Sequence, residues 1–75
     1  MSTTLAECKV GDIVYLKQIH DKQLAIQLYN LGCVLEEEIM VERKTLFGDP
    51  ILISVDDNFI SLRKEDAKNM EVILK

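Results

Sequence analysis

The sequence predicts a mainly β protein: a small, partly open barrel of about five short strands, with one covering α-helix and a short helix near the C-terminus. Three observations predict it. Short β-branched runs are separated by turn residues, as in local hairpins. Only one stretch carries leucines at sustained helical spacing. With 75 residues there is no room for the crossovers of a parallel sheet, and a nearly closed barrel removes most edges from so short a chain.

Taken in order, Ile13-Val14-Tyr15-Leu16-Lys17 follows Gly11-Asp12 and reads as the first strand, with apolar groups on both faces that imply a strong bend. Asp21 is a candidate N-cap for a helix from Lys22 to Leu31, in which Leu24, Leu28 and Leu31 share the face expected to cover one end of the barrel. Gly32 stands where a left-handed residue ends such a helix. Cys33-Val34-Leu35 is an apolar connection. Ile39, Val41 and Arg43 alternate with Met40, Glu42 and Lys44 as a strand. Gly48-Asp49-Pro50 is a turn, and Pro50 pushes Asp49 toward extended geometry. Ile51 to Val55 and Phe59 to Leu62 form a hairpin across Asp56-Asp57-Asn58, where Asn58 tolerates left-handed geometry. Arg63 to Asn69 suits a short helix around Ala67, and Met70 to Leu74 closes the sheet. No linker or repeat divides the chain, so residues 1–75 form one domain.

Composition narrows the function. Thirteen acidic residues against nine basic ones leave a net charge of -4. Two Arg and two Tyr cannot furnish a basic stacking platform, so nucleic acid is excluded as a partner. No apolar run approaches the ~18 residues of a membrane-spanning helix, so no direct membrane insertion is expected. No basic head and apolar stretch mark a secretory signal at the N-terminus. Cys8 and Cys33 make no disulfide framework and read as reduced thiols.

Catalysis has no visible machinery, and no enzyme activity or cofactor is expected. The one histidine, His20, lies at a surface turn, and the cysteines fall in other segments. Gly11, Gly32 and Gly48 are too far apart to cradle a phosphate. Three Cys and His residues in all, widely separated, make no zinc site. Within Glu36-Glu37-Glu38, strand geometry puts Glu36 and Glu38 on one side. These two are weak candidates for a surface metal site, unselective because carboxylates accept several divalent ions. The alternative is a solvated acidic face.

Protein binding remains. Val34-Leu35 and Leu46-Phe47 place apolar groups in loops. Each pair either completes the core or stands exposed, and if exposed the two loops could form one apolar patch with acidic surroundings, of the kind that marks partner surfaces. An exposed sheet edge offers strand addition as a second mode.

The ordered set Gly11-Asp12, Leu28 with Leu31-Gly32, Leu46-Phe47-Gly48-Asp49-Pro50, Ile53, Leu62-Arg63-Lys64 and Ala67 resembles the FeoA (ferrous iron transport protein A) family over Leu5 to Leu74. The resemblance implies an SH3-like barrel and a stand-alone cytoplasmic accessory of the FeoB-type membrane ferrous iron transporter, whose soluble part carries a GTPase domain. It leaves two alternatives: a small ferrous-iron-binding buffer or delivery protein, and a detached regulatory domain like that of metal-responsive repressors. Leu35-Glu36-Glu37 replaces the family's usual Pro-Gly turn, and Gln27 stands where a basic residue is common.

Overall fold

The computed structural model describes residues 2–75 and measures 27 × 24 × 23 Å. Six antiparallel strands form one sheet: β1 (Ser2–Thr4), β2 (Ile13–Ile19), β3 (Glu38–Lys44), β4 (Ile51–Val55), β5 (Asn58–Leu62) and β6 (Met70–Leu74). Helix α1 (Lys22–Asn30) separates β2 from β3, and α2 (Lys64–Ala67) separates β5 from β6. The strand order is β1-β6-β2-β3-β4-β5, and the sheet coils with β1 and β5 as its two edges. A 3-10 turn at Leu5–Glu7 packs on α2 and bridges that gap. Register shifts between Leu16 and Gln18 in β2 and between Val41 and Arg43 in β3 supply the bends.

The sequence expects about five strands, and the sixth is β1. Its three residues, Ser2-Thr3-Thr4, are too short and polar for an alternation signal. Pairing with β6, Ser2 opposite Ile73 and Thr4 opposite Glu71, makes them a strand. The hairpin loop is also shorter than expected. Asp56 takes the positive φ of 54°, while Asn58 already belongs to β5.

Inward positions of every strand from β2 to β6 are apolar. Leu16, Ile39, Val41, Ile51, Ile53, Met70 and Val72 are fully buried, and no polar residue is buried among the described residues. Leu5 and Ala67 plug the gap between the edges. The Asp21 side chain caps α1, accepting from the Leu24 N–H at 3.0 Å, and Leu24 and Leu28 press into the barrel.

Leu31 corrects the expected helix face. The helix ends at Asn30, and Leu31, its C-cap, is 53% exposed. Gly32 turns the chain with φ +91°, so its N–H meets the Tyr29 carbonyl at 3.0 Å while the Cys33 N–H meets that of Leu28 at 2.8 Å. This is a Schellman ending. It swings Leu31 outward and carries Cys33 into the core in its place.

Leu28→Ala should cost about 2–5 kcal/mol, against less than about 0.5 kcal/mol for Leu31→Ala. Urea titration followed by circular dichroism measures both, and equal losses would contradict this packing.

Candidate partner-binding site

The Schellman ending shapes a concavity lined mostly by apolar side chains. Beyond it the chain returns to β2, where the Glu36 N–H donates to the Leu16 carbonyl at 2.7 Å and the Leu16 N–H to that of Glu37 at 3.0 Å. Glu36 takes φ 70° in this turn. The result is an apolar cleft of about 210 Å³ between the end of β2 (Gln18, Ile19), α1 (Ala25, Tyr29) and the connection Cys33-Val34-Leu35. Val34 is half-buried in its wall, and Leu35 stands 55% exposed at its mouth.

Acidic groups border this end of the molecule. Glu37 and Asp56 meet through their carboxyl groups, and that hydrogen bond, with the charge of Asp56, holds Glu37 above the usual carboxylate range. Burial, reinforced by Glu37, pushes the Cys33 thiol up to about 11, so it stays protonated and apolar in character at neutral pH. Glu71 lies on the β6 side, where its hydrogen bonds to His20 and then Ser2 lower its pKa.

Glu36 and Glu38 do not share a strand face. β3 begins only at Glu38, because the positive φ at Glu36 breaks the extended geometry. Each carboxylate faces its own lysine: Lys17 Nζ lies 3.1 Å from Glu36 and Lys75 Nζ 3.0 Å from Glu38. Among the described residues, no three His, Cys, Asp or Glu side chains converge as metal ligands. Cys8 and Cys33 are buried, and His20 Nε2 sits 3.0 Å from Glu71.

The second predicted segment forms a projecting knuckle. Leu46–Gly48 is a 3-10 turn in which Phe47 (φ 65°) and Gly48 (φ 75°) both take left-handed geometry. Leu46 is 78% and Phe47 87% exposed. A non-glycine residue there costs about 1–2 kcal/mol, and surrounding bonds hold it. The Gly48 N–H donates to the Thr45 carbonyl at 2.8 Å, the Thr45 hydroxyl donates to the Asp49 carbonyl, and the Asp49 carboxylate accepts from the Lys64 N–H at 3.0 Å.

The two loops do not form one patch. They lie at opposite ends of β3, whose seven residues span on the order of 20 Å. Val34 and Leu35 join the cleft; Leu46 and Phe47 stand apart from it. Sequence reasoning missed Ile19, Ala25 and Tyr29. Ala25 and Tyr29 carry a readable signal, an i, i+4 pair one position beyond Leu24 and Leu28 on α1. Ile19 carries none, because only the bend in β2 brings it to the helix.

A coiled antiparallel sheet this small, with its chemistry confined to surface grooves, defines the class: an SH3-like domain. The FeoA domain model matches residues 3–74, and the chain belongs to that family. FeoA from Chlorobium tepidum is similar, with 25% identity, a TM-score of 0.90, and 96% of this chain and 70% of that one covered. Stenotrophomonas maltophilia FeoA complexed with zinc, described as a prokaryotic SH3 domain protein, gives 27% identity and a TM-score of 0.79 over 97% of this chain and 89% of that one. A manganese-dependent transcriptional repressor shares the fold, with 21% identity and a TM-score of 0.87 over 99% of this chain and 42% of that one. No curated protein is matched significantly by sequence.

Two predictions follow from this geometry. Phe47→Asn, which keeps a left-handed turn accessible and gives up almost no buried surface, should leave the urea midpoint unchanged or raise it; a clear fall would mean that Phe47 packs on the fold. For Glu37, a raised folded-state pKa means the native state holds the extra proton. Its contribution therefore falls as pH rises from the ordinary carboxylate value through the raised one. The stability of Glu37→Gln relative to the parent should be greater at pH 7 than at pH 4 in matched urea titrations, and a constant difference would contradict the pairing with Asp56.

Proposed function

We propose that this FeoA-family chain is a non-enzymatic interaction module of ferrous iron uptake that binds the cytoplasmic side of a FeoB-type transporter. The observation that carries the reading is the apolar cleft between β2, α1 and Val34-Leu35. A concavity of this size admits one large apolar side chain from a partner segment, and exposed Leu35 extends the contact. Family membership directs the proposal to ferrous iron transport, and the Stenotrophomonas maltophilia relative has been put forward as a ferrous iron transport activating factor.

Such a module acts by preferring one state of the transporter, since equal affinity for two states shifts neither. Its site would be in the cytoplasm, where the GTPase domain of a FeoB-type protein lies. Leu46 and Phe47, at the far end of β3, would serve as a second point of contact.

The alternative of iron held by Glu36 and Glu38 has less support, because their lysine partners already neutralise them and the two are turned apart by the backbone at Glu36. The regulatory-domain alternative has the likeness to a repressor, which extends to the fold alone.

The test is a titration against the detergent-solubilised FeoB-type transporter of the same organism, with GDP, with a non-hydrolysable GTP analogue and without nucleotide. Saturable binding that differs between these conditions is expected. Leu35→Glu should weaken it at least tenfold, roughly the 1.4 kcal/mol that one buried apolar contact is worth, with an unchanged circular dichroism spectrum. A folded protein that binds in no condition overturns the reading.

A further inference from the structure

The β2 wall of the cleft is an incomplete piece of sheet. β2 pairs with β3 only from Ile13, opposite Met40, to Tyr15, opposite Glu38. One residue further, the Leu16 N–H and carbonyl are taken by Glu37 and Glu36 of the returning connection. β2 itself continues to Ile19. On its other side it stays paired with β6 to the end, Gln18 opposite Glu71 and Ile19 opposite Met70. The last part of β2 therefore has a strand on one side only.

Hydrogen-bond alternation fixes which residue is left without a partner. In an antiparallel pair every second residue exchanges its backbone bonds with the neighbouring strand, and the residues between turn theirs to the other side. The Lys75 N–H donates to the Ile13 carbonyl at 2.9 Å, so Ile13 and Tyr15 face β6 while Val14 and Leu16 face β3. The irregularity between Leu16 and Gln18 inserts one residue and shifts this phase. Beyond it the His20 N–H donates to the Asn69 carbonyl at 2.7 Å, so Gln18 and His20 face β6. The N–H and carbonyl of Ile19 are turned the other way, to the side that β3 has left, and no hydrogen bond among the described residues engages either. Ile19 lies in the cleft wall and is only half-buried. The cleft thus joins a backbone donor and acceptor on one residue to the apolar side chains of Ala25, Tyr29 and Val34.

We infer that the cleft takes an extended peptide segment, which adds to β2 at Ile19 as a short extra strand. One residue of the segment accepts from the Ile19 N–H and donates its own N–H to the Ile19 carbonyl, running antiparallel to β2 as β3 does before it turns away. Its side chain falls on the same side of the sheet as that of Ile19, which packs against the core, so this residue is apolar. The segment is short, because the bonds of Glu36 and Glu37 to Leu16 close the slot at one end. A helical segment is excluded as the occupant, since its backbone groups are already bonded to one another. The inference rests on the reading of this cleft as the partner site and names the conformation and bonding of what enters it.

Amide exchange and chemical-shift titration of the ¹⁵N-labelled protein test it without the transporter. The probes are the blocked peptide acetyl-Thr-Thr-Leu-Thr-Thr-amide, the same peptide N-methylated at its leucine, and the same peptide N-methylated at the threonine that follows. In the free protein the Ile19 amide should exchange faster than those of Gln18 and His20. The unmethylated peptide should bind with half-saturation near ~1 mM, in the range of two backbone bonds and one apolar side chain, and should slow exchange at Ile19. Methylation at the leucine removes the N–H that reaches the Ile19 carbonyl and should weaken binding about fivefold, the worth of one hydrogen bond. Methylation at the threonine, whose N–H points away from β2, should leave binding unchanged. An Ile19 amide already protected in the free protein, no binding at ~10 mM peptide, equal weakening by the two methyl groups, or binding that leaves exchange at Ile19 unaltered overturns the inference. None of these results bears on whether the transporter binds, and a transporter domain that binds while Ile19 stays unprotected overturns the strand addition alone.

Discussion

Closure of one small core is the constraint on which the rest depends. Leu24 and Leu28 from α1 seal one end of the barrel, and Leu5 with Ala67 fill the gap left between the edge strands β1 and β5. A chain of this length buries little more than the minimum needed to fold alone, so the inward positions of β2 to β6 are apolar and no polar residue is buried among the described residues. The barrel holds its surface grooves and projections still.

The same closure makes the cleft. Helix α1 can cover the barrel only if the chain turns sharply after Asn30, and the Schellman ending at Gly32 achieves that by sending Cys33 inward and Leu31 outward. The connection then runs back along β2, leaving Val34 and Leu35 above a space that neither the helix nor the strand fills. The high pKa of Cys33 belongs to the same arrangement: a thiol kept neutral is one more apolar wall. At the other end of β3, the left-handed geometry of Phe47, followed by Gly48, holds an aromatic ring in solvent.

Much of this was legible in the sequence. The β2, β3, β4, β5 and β6 runs, the α1 cap at Asp21, the left-handed Gly32 and the short helix at Ala67 all follow from pattern and turn chemistry. β1 was not, because three polar residues carry no periodicity and their strand geometry comes from β6. Leu31 misled because helical spacing says which residues share a face but not where a cap ends that face. Of the site, Val34 and Leu35 were visible as apolar residues in a loop, whereas Ile19 depends on a bulge that single-sequence patterns do not report. The separation of the two loops was hidden as well, since it is set by the length of β3 and not by either loop.

The central claim, that the cleft receives an apolar side chain of a partner, is tested most directly by mapping backbone amide shifts in ¹⁵N-labelled protein as the isolated cytoplasmic domain of a FeoB-type transporter is added. The account predicts shifts concentrated at Ile19, Ala25, Tyr29, Val34 and Leu35, with the β1–β6 ribbon unmoved. Shifts confined to that ribbon, or to Asn58–Leu62 along the free edge of β5, would contradict it and place the partner on a sheet edge instead.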